Sequence, residues 1–184
     1  MSTQPRRRPR DPERRRQTII DAATRVIADA GVAGLTHRRV AEVADVPVGS
    51  TTYYFKDLDE LREAALAHAA HASIDGLDEW ARTLGDTTDL PRALARLTAE
   101  CLADHSRYRA LNELYTAASH RSELRELARL WSDGLIAILE PHTTRTAAES
   151  ISVFIDGALL HALTTGRPLS TSALTEALAK LLAN

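Results

Sequence analysis

Between Thr36 and Lys56 the chain gathers Thr36, His37 and Arg38 in one cluster and Val48, Gly49, Ser50, Thr52, Tyr53, Tyr54 and Lys56 in a second. These are hydroxyls, an imidazole, cations and small apolar tips, with no paired carboxylates and no nucleophile beside a base. Their chemistry is recognition of a polyanion. A guanidinium can donate two parallel hydrogen bonds to a guanine edge, roughly 1–3 kcal/mol of discrimination, which nominates Arg38. The Ser50 and Thr52 hydroxyls can reach bases or phosphates, and the methyls of Val48 and Thr52 suit a thymine methyl. Gly49 admits close backbone approach. Thr36, His37, Tyr53, Tyr54 and Lys56 suit phosphate oxygens, which set register rather than sequence. Arg39 is open between phosphate contact and solvated surface, either of Tyr53 and Tyr54 can be core, and Phe55 reads as core.

Two short helices around a tight turn would present such a set. Leu35-Thr36 predicts a helix start, with Thr36 as N-cap and Leu35 stapled to Val40. A helix from His37 to Ala44 follows, its inner face Val40, Ala41 and Ala44. Asp45 stands where the turn wants a left-handed residue, a region Asp visits more easily than a branched side chain. Val46 plugs the gap, and the reading helix opens near Pro47 or Val48, Pro being tolerated in a first turn.

A brace precedes this unit. Ile19, Ile20, Ala23, Val26, Ile27 and Ala30 recur at helical spacing from Pro12 to Ala30, where Gly31 can cap the end. Residues 1–12 are rich in Pro and Arg without an apolar anchor and are expected to be a disordered basic arm, either a solvated tail or an arm that lies along phosphates or enters a minor groove. The net charge of −2 divides sharply: 11 Lys and Arg stand against 6 Asp and Glu through Lys56, and 12 against 19 beyond it. A basic first third on an acidic body is a polyanion-binding footprint.

The remainder predicts further helices: a long one from Asp57 with a bend at Ser73–Gly76, then helices opening at Pro91, near His105, at Ser122, at Thr143 and at Ser172. With 44% hydrophobic and 4% aromatic residues, the composition favours an all-α fold. No uninterrupted apolar run approaches the roughly 18 residues of a membrane span, and no apolar segment follows the N-terminal arginines, so a cytoplasmic setting is expected. One cysteine, Cys101, excludes an intrachain disulfide framework. His68 and His71 have metal-compatible spacing but no third ligand nearby; His105, His120, His142 and His161 are scattered, and no phosphate loop or nucleophile elbow is present. No metal, no cofactor and no enzymatic activity are expected.

The stretch Leu35-Thr36-x-Arg38-x-Val40-Ala41, Ala44-x-Val46-x-x-Gly49 and Tyr53-Tyr54-Phe55-Lys56, followed by an acidic helix start with Leu58 and Leu61, resembles the helix-turn-helix of the TetR family of bacterial transcriptional regulators. The resemblance implies a DNA-binding domain over residues 13–56 and a ligand-binding and dimerisation domain over 57–184, about nine helices in all. It implies a homodimeric repressor on a pseudo-palindromic DNA operator, released by a small-molecule inducer. Asp45 stands for the usual turn Gly, Pro47 for the usual Ser and Thr52 for the usual first aromatic, so the operator sequence does not carry over. The same resemblance places Trp80, Cys101, His105, Tyr108, Asn112, Tyr115, Trp131 and Phe154 around an inducer pocket, although each is also an ordinary core residue. Glu100 and Glu113 would favour a cationic ligand if buried. For the dimer interface the wide apolar faces nominate Ile151, Ile155, Ala158, Leu159 and Ala162, with Leu174, Leu178 and Leu181; Gly157 and Ala158 would allow close approach. Two other readings stay open: a ligand-dependent activator, or a small-molecule-binding or catalytic helical bundle whose helix-turn-helix is incidental.

Overall fold

The computed structural model describes residues 11–103 and 105–183, with side chains for all of these except 103 and 105–107. The basic arm falls almost wholly outside the described residues, as does the side chain of His105. Within them the chain is helical throughout: α1 (Pro12–Ala30), α2 (His37–Val43), α3 (Val48–Tyr54), α4 (Leu58–Asp75), α5 (Leu77–Gly85), α6 (Leu90–Ala103), α7 (His105–His120), α8 (Arg125–Leu139), α9 (Arg145–Thr165) and α10 (Thr171–Leu182). The expected bend at Ser73–Gly76 is a full break, which makes the long helix two and the total ten.

Local chemistry sets most of the ends. Asp11 accepts from the Arg14 N–H at 3.1 Å and Pro12 occupies the first turn of α1, where its missing donor costs nothing. The helix stops at Gly31, whose φ of +71° excludes most L-residues. Asp57 and Glu60 cap α4 reciprocally: the Asp57 carboxylate accepts from the Glu60 N–H at 2.8 Å, and the Glu60 carboxylate accepts from the Lys56 N–H at 2.8 Å. Ser122 opens a single 3-10 turn ahead of α8 rather than capping that helix. Ser170 caps α10, accepting from the Ala173 N–H, so this helix starts a residue earlier than the sequence suggests.

A continuous apolar core runs from Ile19 in α1 to Leu178 in α10. Each fully buried Leu, Ile or Phe in it contributes about 1.5–3 kcal/mol. α1 packs on α2, α4 and α7; α4 reaches α8; α8 packs on α9; and α10 lies against α6. Head and body are therefore joined through α1, α4 and α7. A polar tie adds to this joint, because the Glu113 carboxylate on α7 accepts from the Val32 N–H just after α1 at 2.9 Å. α9 has the length and mean hydropathy, 1.2 over its best window, of a bilayer-crossing helix. Its buried side, Ile151, Ile155, Ala158, Leu159 and Ala162, belongs to the core, which accounts for that composition.

Candidate nucleic-acid interface and ligand cavity

α2 and α3 are joined by a turn whose φ at Asp45 is +51°, the one positive value at a non-glycine among the described residues. The Val46 N–H donates to the Ala41 carbonyl at 3.0 Å and closes the turn. Thr36 caps α2, its hydroxyl accepting from the Arg39 N–H at 3.1 Å. Beyond the turn, α3 lifts a row of side chains clear of the core: Val48 is 46% exposed and Tyr53 81%. Gly49, Thr52, Arg38, Arg39 and Lys56 are exposed as well, and Ser50 is half-buried. A Cβ placed on Gly49 would meet nothing within 4 Å, so this glycine is not required by packing inside the protein. The Thr52 hydroxyl donates back to the Gly49 carbonyl at 3.3 Å. Tyr53 and Tyr54 meet edge to face at 5.1 Å; Tyr54 packs on the core and Tyr53 stands out from it.

Thr51, which sequence reasoning passed over, locks α2 to α3. It is fully buried. Its hydroxyl donates to the Val48 carbonyl at 2.8 Å and lies 3.1 Å from His37 Nδ1. With the hydroxyl proton spent on Val48, His37 Nδ1 must be the donor. The free Nε2 can then donate to a phosphate only in the imidazolium form. The signal was present in the sequence, since Thr51 stands four residues before the buried Phe55 and so on the inner face of α3. Behind that face the Arg16 guanidinium lies 5.0 Å over the Phe55 ring.

In the body, α4 to α9 surround a cavity of about 170 Å³ lined by Ser73, Gly76, Glu79, Trp80, Leu97, Glu100, Cys101, Tyr108, Leu111, Trp131 and Leu159. Trp80 and Trp131 meet edge to face with ring centres 5.6 Å apart. Glu79 and Glu100 bring carboxylates to its exposed rim, where Glu100 accepts from Arg96 at 2.6 Å. Tyr108 also borders a second hollow of about 460 Å³ toward Leu163, Pro168 and Leu169.

Asp156 on α9 holds two of the cavity's walls. Its carboxylate accepts from the Trp131 indole N–H at 3.0 Å, and its backbone carbonyl accepts from the Tyr108 hydroxyl at 3.3 Å. Burial pushes this carboxyl up to about 6, and the Trp131 hydrogen bond opposes only part of that rise. Tyr108 and Tyr115 are raised above the ordinary phenol range, first by burial and then by the Asp156 charge. The Tyr115 hydroxyl is buried without a hydrogen-bond partner among the described residues.

Comparison with known proteins agrees with this architecture. The model for the N-terminal domain of bacterial regulatory proteins of the TetR family matches residues 19–65, and that for the tetracyclin repressor-like C-terminal domain matches 85–184. The chain belongs to the TetR family. It is a DNA-binding transcriptional regulator, and the TetR-family fold extends over nearly its whole length. Among solved structures, the multidrug binding protein EbrR complexed with ethidium is 42% identical, with 93% of this chain and 99% of that chain covered at a TM-score of 0.77. EbrR is also known with proflavin and with malachite green. A TetR-family member from Streptomyces coelicolor A3 is 41% identical at a TM-score of 0.79, covering 91% of this chain and 98% of that one. The transcriptional regulator BetI of Burkholderia thailandensis is 31% identical over 177 residues, 88% of each chain.

Not every residue nominated from the sequence of this TetR-family chain falls where it was expected. Trp80, Cys101, Tyr108 and Trp131 line the cavity. Asn112, Tyr115 and Phe154 do not: the cavity takes Tyr108 and Leu111 from α7, and Tyr115, two turns below Tyr108, lines an outer groove with Asp156 instead. Leu159, nominated for the dimer, lines the cavity. Ile151, Ile155, Ala158, Ala162, Leu174 and Leu178 are buried in the protomer's own core, and Leu181 packs against that core half-buried. The central stripe of the apolar faces of α9 and α10 is consumed within the protomer. What α9 leaves outside is Val153 at 73% exposure, Gly157, and Leu160 at 43%. Glu113 is half-buried but committed to the Val32 N–H. His68 pairs with Asp21 at 3.3 Å, and the His71 ring bonds the Ala67 carbonyl, so the two histidines face different partners.

Proposed function

We propose that the protein is a homodimeric repressor, released from a pseudo-palindromic operator by a lipophilic organic cation, and that it acts by binding alone. The observation that carries the ligand class is the cavity itself. It sets two tryptophans and a tyrosine beside a carboxylate rim and a carboxylate behind one wall, and aromatic faces with nearby negative charge suit cations. The dyes bound to EbrR, ethidium, proflavin and malachite green, are of that class. At about 170 Å³ the space is smaller than a drug-sized pocket of roughly 300–1,000 Å³. A bulky cation would need Tyr108 to move and join the neighbouring hollow.

For the reading surface, Arg38 and the exposed edge of α3 contact bases, while Thr36, His37, Tyr53, Tyr54 and Lys56 hold the backbone. Residues 13–56 act as the DNA-binding unit and 57–184 as the sensing and pairing unit, working on chromosomal DNA in the cytoplasm. The dimer forms through the outer stripe of α9, with Val153, Gly157 and Leu160. A Cβ on Gly157 would meet nothing within the protomer, which leaves room for a second helix. DNA footprinting with and without malachite green, a dye chosen because its twisted rings intercalate poorly, tests this reading. The expected result is protection of two half-sites about one helical turn apart, lost on adding the dye. Protection of a lone half-site, or a footprint indifferent to the dye, would count against it. Sedimentation of Val153→Glu as a monomer, beside a dimeric parent, would locate the interface.

A further inference from the structure

The cavity's polar groups are not equal. Glu79 and Glu100 lie at the exposed rim, where water and salt screen their charge. Asp156 is set back from the cavity and half-buried. Its carboxylate accepts from the Trp131 indole N–H, and no lysine or arginine pairs with it among the described residues. Arg125 and Arg129 of α8 border the outer groove that Asp156 also lines, but neither forms an ion pair with it. Among the described residues, the groups facing Asp156 from α7 are the phenols Tyr108 and Tyr115, and Tyr115 keeps a buried hydroxyl with no hydrogen-bond partner.

A carboxylate in low dielectric without a counter-charge is an unfavourable arrangement for a group with only a structural task, because an asparagine would keep the hydrogen bond and shed the charge. The residue that receives the charge's influence is Trp131. Its indole lines the cavity and donates its N–H to Oδ1. A carboxylate accepting from an indole N–H pushes electron density into the ring, and hydrogen-bonded groups in low dielectric polarise one another in this way. Tryptophan is already the strongest of the aromatic residues at attracting a cation to its face.

We propose that Asp156 is the positioning residue that sets the cavity's preference for cations, acting through Trp131 by charging the ring from behind while fixing its orientation. The proposal rests on the reading of this cavity as a cation site. It separates two jobs: the hydrogen bond holds the indole in place, and the charge makes the indole attractive to a cation. Asp156→Asn removes the second job and keeps the first, since the amide oxygen can still accept from Nε1.

Calorimetric titration of the whole protein with two probes tests this. Proflavin is a planar cation at about pH 8, and acridine is the same ring system uncharged at that pH. Asp156→Asn is expected to weaken proflavin binding about tenfold and to leave acridine within about twofold, with a melting temperature no lower than the parent. In a Trp131→Phe background, which removes the N–H that carries the effect, Asp156→Asn is expected to cause no further loss of proflavin affinity. Unchanged proflavin binding by Asp156→Asn overturns the proposal. So does an equal loss of both probes, which would mean that Asp156 only orients the ring. An undiminished effect in the Trp131→Phe background would also overturn it, because the charge would then be acting without the indole. If the parent protein itself fails to prefer proflavin over acridine, the cation reading of the cavity falls, and the role of Asp156 falls with it.

Discussion

The reading head and the sensing body treat their polar groups in opposite ways. Around α2 and α3 the buried and capping groups are spoken for: the Thr36 hydroxyl accepts from the Arg39 N–H, and the Thr51 hydroxyl bonds both the Val48 carbonyl and His37. In the body, among the described residues, Asp156 has no cationic partner, and the hydroxyls of Tyr115 and Ser152 are buried without hydrogen-bond partners. A surface that must meet one rigid duplex gains from being finished before the duplex arrives. A cavity that must respond to a ligand gains from leaving something for the ligand to complete. The stability cost falls on the body.

That contrast can be broken at three points. The largest effect is expected at Asp156. Its native value of about 6 lies above the ordinary 3.8, so the stability it contributes is complete below about pH 4 and is lost as pH rises through about 6. Denaturant unfolding of the parent should show this loss. Asp156→Asn should remove that slope and raise stability at neutral pH by about 2 kcal/mol, discounted from the full shift because the residue is partly exposed. A variant no more stable than the parent at neutral pH would mean that the body leaves nothing unfinished.

Next is Thr51→Val in the head. It keeps the volume but strips the hydroxyl from His37 and from the Val48 carbonyl, and should cost about 1 kcal/mol with weaker operator binding in a mobility-shift assay. Were it neutral in both measurements, the head would not be as finished as its hydrogen bonds suggest. The smallest effect is expected at Asp45→Gly, which relieves the left-handed backbone at the turn. It should stabilise by about 0.5 kcal/mol and leave DNA affinity unchanged. A loss of affinity would mean that the Asp45 carboxylate has a task at the DNA.

The same contrast explains what could be read in advance. The ends of α1, the Thr36 cap and the exposed edge of α3 follow from neighbours within a few residues, so local rules sufficed. Even there, Thr51 was passed over because its neighbours on α3 looked more exposed and more useful. The cavity depends on how far each of six helices is rotated about its own axis. Tyr108 and Leu111 turn inward while Asn112 does not, and nothing local decides that. α9 shows the same limit: Ile151, Ile155 and Ala162 announce a buried face, but the chain does not say whether its own body or a second copy covers it. Asp156 had a visible signal, an acid inside a strongly apolar helix, between Ile155 and Leu159. It drew no attention because one polar residue in a helix usually means only that one side meets water.

Glu113 and Tyr108 stand on the same helix. α7 is a rod of sixteen residues, roughly 24 Å long at 1.5 Å per residue. Along it Tyr108 and Leu111 face the ligand space, while Glu113 takes hold of the Val32 backbone just after α1. Only one turn of helix separates Tyr108 from the middle of that span. The Val32 backbone is thus moored to the beam that forms the cavity's wall, five residues along it from Tyr108.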